Sequence, residues 1–153
     1  MKKKLVIIAI SAGISAGIYI AGYLICKSYF MWGSPMQSYT ADWTTRHYYL
    51  YIWIVSILLA VFNYPATSLA TTAGCFIGIV IGDTLGEFIR TIRLSNLDRL
   101  IAEGVSPGVI HELHIHYGVP IWLGTIVIAY VIGLNIDKKI RKNSKKEASK
   151  KEA

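Results

Sequence analysis

"ATSLATTAGCFIGIVIGDTLGEFIR", residues 66–90, decides how the whole chain is read. Up to Ile89 it is apolar or small apart from two acids, Asp83 and Glu87. About 20 mostly apolar residues suffice for a helix to cross the hydrocarbon core of a bilayer. Gly74, Gly78, Gly82 and Gly86 recur every four residues. Small residues at that spacing form a stripe along which a second helix can approach closely. Four residues turn about 400°, so the stripe drifts slowly round the helix and favours a right-handed crossing. The expectation is a membrane-spanning helix with a packing stripe.

The acids are the anomaly in this helix. Each follows a stripe glycine by one position, about 100° round from it. They share a face, and Arg90 lies three residues beyond Glu87. A carboxylate in or near hydrocarbon is costly, so it needs a partner or a function.

Working outward, three more apolar runs appear, at about residues 5–26, 48–62 and 118–136. The second is short, but Tyr48, Tyr49, Tyr51, Trp53 and Tyr64 flank it and suit membrane interfaces. The first carries its own small-residue stripe, Ala9, Gly13, Gly17 and Ala21. Its "KKK" start and "SAGISAG" segment resemble a signal peptide, but the apolar stretch runs on to Cys26, too long for a signal core. An uncleaved anchor is expected. Tyr23, Leu24 and Ile25 precede Cys26, where a lipoprotein cysteine needs small residues. Cys26 and Cys75 therefore read as small buried hydrophobes, not as a disulfide framework.

The predicted fold is an all-α integral membrane protein with four transmembrane helices. Composition agrees. Of 153 residues, 54% are hydrophobic and 16% charged, against about a quarter charged in a soluble domain. Mean hydropathy is +0.46. The net charge of +7 is concentrated at the ends: Lys2, Lys3 and Lys4, then Lys138, Lys139, Arg141, Lys142, Lys145, Lys146, Lys150 and Lys151. No stacking or groove-reading motif accompanies it, so nucleic acid is excluded as a partner. Basic flanks mark cytoplasmic ends, and the tail is placed to meet anionic headgroups. Both termini are expected on the cytoplasmic side of a plasma membrane, with Asn63-Tyr64-Pro65 as a cytoplasmic hairpin. Arg90, Arg93 and Arg99 fall outside in this topology and oppose it, outvoted by the two termini. Residues 1–137 form the membrane domain, and 138–153 form a lysine-rich tail expected to be solvated and mobile.

Between the third and fourth spans, Ile89, Ile92, Leu97, Leu100 and Ile101 recur at helical spacing among Arg93, Asn96 and Arg99. This predicts a short amphipathic helix on the membrane surface. Ser106-Pro107 reads as a second helix start.

Topology brings Lys27, Arg46, Asp83, Glu87 and Arg90 to one level at the outer end, with His116 and Tyr117 beside them. The expectation is that the acids face these cations, either as a structural ion-pair network or as a ligand, ion or catalytic site. "HELHIH" at 111–116 adds His111, His114 and His116 as candidate ligands for zinc or another divalent metal. The zinc-protease spacing H-E-x-x-H is not met, and no pair of Cys-x-x-Cys is present. No cofactor is otherwise expected.

Gly78, Gly82 and Gly86, with Pro120-Ile121-Trp122 downstream, give under half the chain a faint resemblance to the lipoprotein signal peptidases. Those are four-span proteins with both termini inside. Glu87 and Arg90 stand where that family's first motif has asparagine and aspartate. His111 and Ile126 stand near the places of its catalytic aspartates. Two aspartates are needed to activate a water between them, so an active protease of that kind is not expected.

The leading functional expectation is a non-catalytic subunit or accessory protein acting through glycine-mediated helix packing. Its partners would be the lipid bilayer and a homo-oligomer or larger membrane complex. The alternative is a transporter or channel component using Asp83 and Glu87 to bind a cation or proton. An intramembrane hydrolase ranks third, since a nucleophile with a base nearby is missing.

Overall fold

The computed structural model describes residues 2–31, 39–95, 97–104, 106–113 and 115–152. Every regular element among them is helical: α1 (Lys2–Met31), α2 (Tyr39–Arg46), α3 (Ile52–Val61), α4 (Pro65–Leu94), α5 (Leu97–Ala102), α6 (Pro107–Leu113) and α7 (Gly118–Glu152). Three of these helices, α1, α4 and α7, are long and apolar enough to cross a membrane. The fourth predicted span is shorter and broken.

Turn chemistry explains the α3–α4 hairpin. Asn63 adopts the left-handed conformation at φ 65°. Its N–H bonds to Ala60 O at 2.9 Å, and the next N–H, of Tyr64, reaches back to Leu59 O at 2.8 Å. This is the Schellman closure, with asparagine where glycine is commonest. Pro65 then opens α4, where a missing N–H costs nothing.

α4 is the centre of the bundle. It packs along most of its length against α7, and against α3, α1 and α2 on other faces. α1 runs parallel to it, Ser15 meeting Ser68 and Gly22 meeting Phe76. α7 runs antiparallel, from Gly118 beside Gly82 to Gly133 beside Thr67. A buried cluster of Tyr19, Ala41, Tyr49, Cys75, Ile79, Trp122 and Ile126 fills the middle. The Trp122 indole donates to Cys75 O at 2.9 Å, an N–H that would be costly to leave unpaired at that depth.

The short run is extended by an element that its composition hides. α2 and α3 together run antiparallel beside α4, Thr40 at the level of Asp83 and Val61 just before Pro65. Between them Tyr48, Tyr49, Leu50 and Tyr51 all have positive φ, from 48° to 58°. Left-handed backbone costs an L-residue about 1–2 kcal/mol. The turn is retained because it delivers Tyr49 into the core, edge-on to Tyr19 and Phe76 at 5.9 and 5.6 Å between ring centroids.

The lysine-rich tail is helical: α7 continues unbroken through Lys138 to Glu152. Lysine, glutamate and alanine are good helix formers, and the stable helix ahead of them removes the nucleation cost. The single amphipathic helix after Ile89 is divided, since α4 itself runs to Leu94 and only Leu97–Ala102 forms a separate element. The helix start at Ser106-Pro107 is realised as α6, with Ile110 and Val109 N–H groups bonding Ser106 O.

Candidate functional site

Polar side chains concentrate at two ends of the α4–α7 pair and along one face of α1. At the end where α4 begins, Asp137 of α7 is 3% exposed. Its carboxylate accepts the Ala66 and Thr67 backbone N–H groups at 3.2 and 2.8 Å and the Thr67 hydroxyl at 2.6 Å. The first N–H groups of a helix have no intrahelical partner, and a negative charge suits that end of the dipole. Asp137 is thus the N-cap of α4, supplied from another helix. One turn further on, Arg141 donates to Asn63 O at 2.6 Å and lies 4.0 Å over the Tyr64 ring. The α3–α4 hairpin is held by α7 from both sides.

At the opposite end Asp83 plays the same part for α2. Its Oδ1 accepts the Thr40 N–H at 2.6 Å. Two of the cations expected around it pair within their own helices. Arg46 pairs with Asp42 one turn back in α2 at 2.7 Å, with its side chain 75% exposed. Arg90 pairs with Glu87 at 3.3 Å. Both are exposed pairs worth about 1 kcal/mol at most. Lys27's side chain lies outside the described residues. Of the expected cluster of Lys27, Arg46, Asp83, Glu87 and Arg90, the described contacts are a backbone cap at Asp83 and the local pairs Arg46–Asp42 and Arg90–Glu87. A helix end offers a carboxylate several oriented N–H donors without the entropy cost of fixing a long cationic side chain.

Asp83→Ala should release the start of α2 and cost about 1–2 kcal/mol, the worth of a lost N-cap. Asp83→Asn keeps a carbonyl acceptor and should cost less. Melting of the two variants orders them, and equal stability of both with the parent would deny Asp83 this part.

His116 sits between these elements. Its Nδ1 accepts the Gly118 N–H at 3.0 Å, so the ring proton is on Nε2, which faces Glu87 Oε2 at 3.8 Å. The ring packs, tilted by 36°, against Tyr39 of α2, centroids 4.5 Å apart. Burial pushes its pKa below the ordinary histidine value, against the pull of Asp83 and Glu87. Nearby, Arg93 donates to the Tyr117 hydroxyl at 2.9 Å. Of the other candidate ligands, His114 and the His111 side chain lie outside the described residues. Among the described residues, no three metal-ligating side chains converge. Ile126, at one of the positions compared with a protease aspartate, is buried in the core cluster.

The glycine stripe of α4 meets α7. A Cβ on Gly74 would stand 2.4 Å from Ala129 Cβ, and one on Gly78 3.0 Å from the Trp122 ring. On Gly82 it would stand 2.6 Å from Gly118 O, and on Gly86 2.5 Å from His116. Gly133 completes the contact from α7, 2.5 Å from Thr67 Cα. The α1 stripe behaves differently. Gly13 and Gly17 have nothing within 4 Å of a built Cβ. Ser11, Ser15 and Tyr19 face the bundle instead, Ser15 bonding Ser68 at 3.0 Å and Tyr19 bonding Ser56 at 3.2 Å. A hydroxyl turned to lipid has few partners, whereas a glycine loses nothing there, so the hydroxyls take the inner face. Sequence reasoning missed Asp137 and this serine–tyrosine face. The available signals were an aspartate at the junction of apolar run and lysines, and hydroxyls four residues apart.

Compared with known protein families, curated proteins and solved structures, the chain matches none. Its helices and polar contacts are the grounds for a functional reading.

Proposed function

We propose that the chain is a small non-catalytic multi-pass membrane protein, a subunit or accessory protein working through helix packing. The observation that carries this reading is the use of Asp83 and Asp137: each is engaged in holding the start of another helix. Acids committed as caps are part of the scaffold. The hydroxyls of Ser15, Ser68, Tyr19, Ser56, Thr71 and Thr72 are likewise engaged, with one another or with carbonyls one turn back.

In this proposal the bundle crosses the plasma membrane four times, with both termini in the cytoplasm. The broken α2–α3 segment is the second crossing. From the level of Asp83 to Pro65 the α4 axis covers 18 residues, about 27 Å, close to the hydrocarbon thickness. The exposed Gly13 and Gly17 face of α1 is where a second membrane helix, from another copy or a larger complex, would lie.

Reporter fusions at Lys4, Thr40, Pro107 and Lys145 test the topology. Lys4 and Lys145 should report cytoplasm, and Thr40 and Pro107 the opposite side. A cytoplasmic Pro107 would reverse the outer end. Cysteine substitution at Gly13 or Gly17, followed by oxidative cross-linking in membranes, should give a higher-mass species that Ile14→Cys does not. Equal cross-linking at all three positions, or none, would remove α1 packing from the proposal.

A further inference from the structure

We propose that His116 is an acid-released clasp, a neutral imidazole that ties the start of α7 to α4 and α2 and lets go when protonated. Three contacts on the same ring support it. Nδ1 accepts the Gly118 N–H at 3.0 Å, at the first residue of α7. The ring fills the space beside Gly86, where a Cβ would stand 2.5 Å from its Cε1. Its other face lies on the Tyr39 ring. The side chain is only 6% exposed.

Protonation acts on the first contact directly. A second ring proton occupies Nδ1, so the acceptor for the Gly118 N–H is lost and two N–H groups face each other. The new charge also lies at the positive end of the α7 dipole, where cations are disfavoured. The groups facing the ring decide whether anything offsets this. From α4 they are Asp83, Glu87 and Arg90, from α2 the Tyr39 phenol, and from α7 the Gly118 backbone. Glu87 attracts the imidazolium, but it is 57% exposed and shared with Arg90. Its pull is therefore screened, and turning the ring toward it empties the slot beside Gly86. Asp83 attracts the charge as well, while its Oδ1 is held by Thr40.

The sign follows from the burial that holds the folded-state pKa below 6.5. Stability from the clasp is complete above the unfolded value of 6.5 and is lost as pH falls through the folded value. The inference is independent of the functional reading above, since it concerns the joint between three helices whatever they serve.

The test uses the full chain in detergent micelles, melted at pH 7.5 and pH 5. The parent should melt lower at pH 5 by about 2–4 °C, the shift typical of one lost cap in a chain of this size. H116Q, whose amide can still accept from Gly118 but cannot titrate, should show no such difference. H47Q, H111Q and H114Q should each keep the parent's acid loss. An H116Q protein that loses as much as the parent would overturn the clasp. Should H116Q not fold, the triple variant H47Q/H111Q/H114Q leaves His116 as the one imidazole for titration by NMR. A midpoint below 6.5 supports the clasp, and one at or above 6.5 overturns it.

Discussion

Gly133→Leu should abolish the folded bundle, and Gly82→Ala should already be damaging. Both positions touch backbone. A Cβ on Gly133 would stand 2.5 Å from Thr67 Cα and 3.1 Å from Ala66 O, and one on Gly82 2.6 Å from Gly118 O. A side chain at either place cannot be accommodated by turning a neighbour's rotamer, because a whole helix must move. Overpacking by a methyl or two costs about 1–3 kcal/mol, so Gly82→Ala should fall in that range. The leucine, with three more carbons against backbone, should exceed it. Gly13→Ala and Gly124→Ala are the controls. Nothing lies within 4 Å of a Cβ at either, and alanine is the better helix former by about 1 kcal/mol. These two should melt at or above the parent. Thermal unfolding of the four purified variants decides it, and uniform tolerance would mean that α4 and α7 do not meet along the stripe.

The second large effect is expected at Asp137. Replacing it by alanine removes the acceptor for two backbone N–H groups and the Thr67 hydroxyl in one step. Hydrogen bonds to a charged group contribute about 1.5–3 kcal/mol each and do not add fully. A loss of about 2–4 kcal/mol is expected, with α4 fraying from Pro65. Asp137→Asn retains one acceptor oxygen and should lose about half as much. Thr67→Val with Asp137→Ala should cost less than the sum of the two single changes, because they share a contact. Denaturant unfolding of the three variants provides the cycle. Strict additivity would show that the Thr67 hydroxyl is not coupled to Asp137, and an alanine variant as stable as the parent would show that the cap contributes nothing.

These predictions rest on contacts of different legibility. The α4 stripe was visible at once, because a spacing of four puts Gly74, Gly78, Gly82 and Gly86 on a slowly drifting line. The α1 stripe has the same spacing, yet Gly13 and Gly17 face away from the bundle. Spacing alone therefore says that a close contact is permitted and not that one is made. Asp83 was legible as an anomaly but not in its role. Its donor is the backbone of Thr40, 43 residues earlier, at the start of a helix whose composition is largely polar. Asp137 drew no attention, since six of the fourteen residues from Lys138 to Lys151 are neutral or acidic and it reads as one more polar residue of that stretch. Only the approach of α4's first turn turns it into a cap.

The amino-acid sequence by itself determined that the chain is helical and that α1, α4 and α7 are long and apolar enough to cross a membrane. Local composition suffices for this, because a backbone in hydrocarbon must satisfy its hydrogen bonds within its own segment. It also determined the hairpin at Asn63-Tyr64-Pro65, where φ preferences act over a few residues. Only the tertiary structure decided which helix seals the glycines, which acid caps which helix, and that His116 is buried between three elements. Those outcomes depend on helix ends and faces brought together from tens of residues apart, and no local preference encodes which of them will meet.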